Sequence, residues 1–141
     1  MKELRKIIHS NLKPVLEEVL DSDLILEHDT ILQGAKLYFH KAPKGAELPY
    51  LIYDIPTISD DGEGFELVTL DIDGWDAPAD GDSAPLETFM AAINSKLNKL
   101  SIVTDNIVIS FYLDSKLVLP DDNPKIIRRK YIYQARLYER S

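Results

Sequence analysis

The stretch Leu67-Val-Thr-Leu-Asp-Ile-Asp-Gly-Trp-Asp76 constrains the fold more than any other part of the chain. Val68, Leu70 and Ile72 alternate with Thr69, Asp71, Asp73 and Trp75, a period-2 pattern that predicts a strand with one buried face. Gly74 ends or bends it, and Asp76-Ala-Pro-Ala-Asp-Gly-Asp-Ser83 is a loop by composition. A helix is predicted next, from about Ala84 to Leu100, because Leu86, Phe89, Met90, Ile93, Leu97 and Leu100 recur at helical spacing. Ser83 is placed to cap it, and Pro85 falls in the first turn, where a missing donor costs little. Strand, acidic loop and helix form one unit, and the flanking segments must supply its partners.

Upstream, Leu48-Pro-Tyr-Leu-Ile-Tyr-Asp-Ile55 has the aromatic and β-branched content of a strand, with Pro49 at its start. Pro56 to Glu66, which includes Asp60, Asp61, Glu63 and two glycines, reads as a polar turn closing an antiparallel hairpin. Lys36 to His40 predicts a short strand, and Leu24 to Gln33 has no decisive period. Lys2 to Leu20 has one apolar stripe, with Pro14 predicting a kink near Asn11–Lys13 or a second helix starting there. Downstream, Ile107 to Leu113 is a strand and Ser115 to Lys125 a long exposed connection. Arg128 to Arg140 alternates Tyr131, Tyr133, Ala135 and Leu137 with a charged face, as at a sheet edge or interface. The expected class is α+β: a mostly antiparallel sheet with an N-terminal helix and a central amphipathic helix packed on one face, forming one domain over residues 1–141.

Charge is unevenly spread. Between Gly45 and Ser95 there are twelve acids and no Lys or Arg, whereas Lys125 to Arg140 holds six bases and one acid. A net charge of −8 is not that of a general nucleic-acid binder. No apolar run approaches the ~18 residues of a membrane span, and the N-terminus lacks the apolar core of a secretory signal. The absence of cysteine rules out disulfide and thiolate chemistry. Two unlike charged segments are either two solvated faces or complementary surfaces on neighbouring copies, with Arg128, Arg129, Lys130 and Arg136 facing Asp60, Asp61, Glu63 or the Asp76–Asp82 loop of the next chain.

Catalytic signatures are few. His9, His28 and His40 have no metal-site spacing, and no nucleophile elbow, P-loop or dinucleotide fingerprint is present. Asp71 and Asp73 share a strand face about 7 Å apart, so with Asp76 they form the one carboxylate set that could hold a divalent cation or do acid–base work. A small metal-dependent hydrolase is therefore the alternative class, and an adaptor binding a partner strand along the basic edge is a third. No catalytic residue, cofactor or metal is assigned. Trp75 is expected as sheet cover or as an interface anchor.

Taken together, the Lys36-Leu-Tyr-Phe-His40 strand, Ala42-Pro43, Leu48-Pro-Tyr-Leu-Ile-Tyr53, Leu67-Val-Thr-Leu-Asp-Ile-Asp-Gly-Trp75, the Pro/acid loop, the amphipathic helix and Arg128-Arg-Lys-Tyr-Ile-Tyr133 resemble the tail-completion, or tail-to-head joining, proteins of long-tailed bacteriophages and prophages. These are similar in fold to the tail terminators. The resemblance implies a non-enzymatic virion protein at the head-proximal end of the tail, assembled in the host cytoplasm. Its partners would be other copies of itself in a ring, usually a hexamer, together with the tail tube protein and the head connector or stopper. No membrane is implied, and DNA would be met only in passage, past a lumen whose negative charge keeps it from sticking.

Overall fold

The computed structural model describes residues 2–20, 36–60, 65–104 and 107–139. In chain order its elements are α1 (Lys2–Leu20), β1 (Lys36–Phe39), β2 (Tyr50–Asp60), β3 (Glu66–Asp76), α2 (Ala84–Leu97), β4 (Ser101–Val103), β5 (Ile107–Leu119) and β6 (Ile127–Glu139). The α+β class and both helices are as the sequence predicts. The strands form one six-stranded sheet ordered β1-β2-β3-β6-β5-β4. β1 and β2 run parallel, and all other neighbours are antiparallel. Two hairpins, β2–β3 and β5–β6, are joined by unbroken pairing of β3 with β6, from Glu66 opposite Leu137 to Asp76 opposite Ile127.

One face of this sheet carries the core. Val68, Leu70 and Ile72 of β3 lie beside Tyr131, Tyr133, Ala135 and Leu137 of β6, with Leu51, Tyr53, Ile107, Ile109 and Phe111 extending the layer. Against it pack Ile8, Leu12 and Leu16 of α1 and Leu86, Phe89, Met90, Ala92, Ile93 and Leu97 of α2. Each large side chain buried this way contributes ~1.5–3 kcal/mol before entropy is subtracted. Gly74 belongs to the same face, and there α2 comes so close that a Cβ would lie 2.7 Å from Met90 Sδ and 3.0 Å from Leu86 Cδ1. Two tyrosine hydroxyls that reach the core are paired: that of Tyr133 donates to Asn94 Oδ1 at 2.8 Å. The Tyr53 hydroxyl and His9 Nδ1 are hydrogen-bonded, and burial, followed by the charge of Lys13, lowers the His9 pKa.

Several boundaries differ from the sequence expectation for physical reasons. α1 runs through Pro14 as one element; Ser10 and Pro14 are both on the exposed side, where the carbonyl that lost its donor can meet water. β2 begins at Tyr50, after the cis Leu48–Pro49 bond, and continues through Pro56 to Asp60. Pro56 is accommodated because the register shifts between Asp54 and Thr57, a bulge that needs no donor there. β5 does not stop at Leu113 but runs to Leu119 after a second irregularity between Leu113 and Ser115. β6 is an inner strand rather than an edge. α2 closes at Leu97, where Asn98 turns extended and Lys99 takes a φ of 69°, leading into the unforeseen edge strand β4. Ser83 occupies the N-cap position without a side-chain bond, and Asp82 Oδ1 instead accepts from the Ala84 N–H at 3.0 Å. Leu24–Gln33, Asp61, Glu63 and His28 lie outside the described residues.

Two outcomes follow from this packing. Gly74→Ala overfills the contact with α2 and should lower stability by about 1 kcal/mol, at the low end for overpacking because the Met90 thioether can yield; urea denaturation measures this. Burial pushes the Tyr53 phenol up to about 12 from 10.0 and raises that of Tyr133 as well. The folded protein therefore keeps protons that the unfolded chain releases, and this stability is full below pH 10.0 and is lost as pH rises towards about 12. Melting curves across that range should steepen in wild type and flatten in Tyr53→Phe.

Candidate assembly surface

The sheet face away from the helices has no element packed on it among the described residues. The registers order its side chains in rows. At one end Val103, Val108 and Tyr138 lie side by side across β4, β5 and β6. The next row holds Ser101, Ser110, Arg136 and Leu67, and the one after it Tyr112, Gln134, Thr69 and Thr57. Short polar bonds tie these together: Ser101 and Ser110 hydroxyls are 2.7 Å apart, and Thr57 donates to Thr69 at 2.8 Å. Beyond them comes a ladder of charge, ending in Leu119, Arg128, Trp75 and Tyr50.

The ladder is built from diagonal neighbours on β3 and β6. Arg128 Nη2 donates to Asp73 Oδ2 at 2.6 Å, and Lys130 Nζ lies 3.2 Å from Asp71 Oδ2. Both pairs step across the strands by two residues, since Asp73 stands opposite Lys130 and Asp71 opposite Ile132. Arg128 also covers the Trp75 ring, its guanidinium carbon 3.9 Å from the centroid, while Tyr50 flanks the indole at 5.7 Å. Burial raises the pKa of Asp73, and the Arg128 hydrogen bond and charge act against that rise. On the helix side of β6, Arg129 Nε donates to Glu87 Oε1 at 3.0 Å. His40 Nδ1 sits 3.1 Å from Asp54 Oδ2, and with Ile52, Asp71, Asp73 and Lys130 these two line a shallow hollow.

The structure thus brings together residues that the sequence shows far apart. Arg128, Arg129 and Lys130 are engaged by acids of their own chain. Trp75 lies on the outward sheet face beneath the Arg128 guanidinium. Asp76 is 2% exposed, its Oδ1 accepting from the Ala77 N–H at 2.8 Å, so it does not present a carboxylate to solvent. Asp60 closes β2 next to the hairpin tip. Arg136 differs from the other bases: it is exposed, its guanidinium carbon 5.0 Å from the Phe65 centroid, and no carboxylate among the described residues is within ion-pair distance. Asp71 and Asp73 each face a cation, and among the described residues no group of three or more His, Cys, Asp or Glu is placed to hold a metal ion. The exposed Tyr112, Tyr138 and Val103 were not singled out in the sequence, although a tyrosine at an outward strand position is the signal that could have found them.

No family model and no curated protein sequence matches the chain. Among solved structures, a chain from the "Virion of native gene transfer agent (GTA) particle" aligns with 94% of this chain and 98% of its own length, at a TM-score of 0.66 and 14% identity. The two chains share a fold.

The ladder is the part of the surface whose removal is felt by the fold itself. Arg128→Ala leaves the buried Asp73 carboxylate without its cation and should cost ~3 kcal/mol at neutral pH. Because the Asp73 pKa is raised in the folded state, that penalty should shrink as pH falls into the carboxylate range. Arg136→Ala, on exposed surface, should stay within about 0.5 kcal/mol. Paired melts at two pH values check both.

Proposed function

We propose that the protein is a non-enzymatic structural component of a phage or prophage virion, one that completes the tail tube and forms the head–tail joint as a ring of identical copies. The observation that carries this reading is the near full-length fold likeness to a virion chain, taken with the tail-completion pattern in the strands Leu48–Tyr53 and Leu67–Trp75. The open sheet face supports it physically: an outward array of tyrosines, hydroxyls and an arginine with no carboxylate in ion-pair reach among the described residues suits protein contact. The partners in this reading are other copies of the chain, the tail tube protein on one side and the head connector or stopper on the other. The ring is placed at the head-proximal end of the tail, with DNA passing through a lumen of net negative subunits.

Deleting the gene from the particle's genome tests this. Electron microscopy should then show full heads and separate tails, with tubes of uncontrolled length, and infectivity or transfer should fall by orders of magnitude. Particles that still join and function normally without the chain would overturn the reading. Mass measurement in solution, with and without the tail tube subunit, should register the ring directly.

A further inference from the structure

We propose that the β5–β6 hairpin is the joining element between copies: the tyrosine–arginine hollow at its Arg136 end receives the acidic Asp121–Asp122 turn, with Leu117 and Val118 behind it, from the next copy. This deepens the ring reading above and rests on it.

The two ends of the hairpin are complementary and unsatisfied. At one end Ser110, Tyr112, Arg136 and Tyr138 line an open hollow. Tyr112 is 51% and Tyr138 44% exposed, and Val103 beside them is 62% exposed. Arg136 projects among them, with no carboxylate in ion-pair reach among the described residues. At the other end the helices no longer cover the sheet, and Val118 is 72% and Leu117 38% exposed on opposite faces of the strand. The turn beyond them carries Asp121 and Asp122 between Pro120 and Pro124. Asp121 Oδ1 accepts from the Asn123 N–H at 2.9 Å, which fixes the turn and presents Asp122 outward.

Geometry forbids one chain from satisfying itself. Arg136 pairs with Ser110 and Arg129 with Val118, so the two patches are separated along β6 by seven residues, roughly 23 Å at ~3.3 Å per residue. An aromatic-plus-cation patch at one end and an aliphatic-plus-anion patch at the other define a heterologous, head-to-tail contact, the type that closes into rings. Buried tyrosine and arginine anchors supply affinity, and the charge sets register.

The test uses two full-length variants, Arg136→Glu and Asp122→Lys, the second leaving the turn-fixing Asp121 in place, analysed by native mass spectrometry with the tail tube subunit present. Circular dichroism and melting should match wild type for both. Each variant alone should lose assembly at least ~10-fold, because like charges then meet at every contact. Mixed in equal amounts they should recover it, since an alternating ring restores Glu–Lys and Arg–Asp contacts throughout. Assembly of either variant at wild-type levels, or a mixture that stays apart, overturns this inference and leaves the ring reading standing. A wild-type chain that never assembles overturns the ring reading itself.

Discussion

The pairing of β3 with β6 is the constraint on which everything else in the molecule depends. Without it the chain is two hairpins, each with one apolar face too small to support a helix layer. With it, eleven residues of β3 align against β6, the tyrosines of β6 complete a surface begun by Val68, Leu70 and Ile72, and α1 and α2 have a continuous floor to pack on. The same register that builds the floor fixes the other side, bringing Asp71 to Lys130 and Asp73 to Arg128. A slip by one residue would turn Tyr131 and Tyr133 to solvent and break both ion pairs at once. Apolar burial and charge pairing therefore specify the same alignment, and neither has to do so alone.

Local pattern revealed most of the elements and the antiparallel β2–β3 hairpin. Alternation in Leu67–Asp76 and in Tyr131–Leu137 identified the inward residues, and the spacing of Leu86, Phe89, Met90, Ile93 and Leu97 identified the packed side of α2. What the sequence could not supply was that β3 lies next to β6. Read along the chain, the acids of the middle and the bases of the last strand look like separate surfaces; once β3 and β6 are adjacent, three of the bases are neutralised internally. The clue was present in the matched i, i+2 spacing of Asp71 with Asp73 and of Arg128 with Lys130, which becomes meaningful only when the two strands are set side by side. The extensions of β2 through Pro56 and of β5 past Leu113 were hidden for a related reason. Both follow irregularities in pairing, where alternation changes phase and a periodic reading stops.

Charge in this molecule does two different jobs, separated by burial. The half-buried pairs hold a seam and are shielded from salt and from partners. Arg136, exposed beside Tyr112 and Tyr138, has no carboxylate in ion-pair reach among the described residues. A reading based on total charge treats all four bases of β6 alike, whereas the coordinates sort them by what each already touches. That sorting separates the beginning of β6, where the bases meet acids of their own chain, from its end, where Arg136 does not among the described residues.

The chain has a single tryptophan, and it lies under the Arg128 guanidinium, on the side of the seam opposite the core. Its emission therefore provides an intrinsic optical gauge of that seam, with no label attached. An indole stacked under a cation and edged by Tyr50 has a polar, partly shielded surrounding that solvent replaces when the strands part. Excitation of Trp75 would follow separation of the two hairpins independently of helix loss, which circular dichroism reports. The order in which the layers come undone is thus open to a spectrometer.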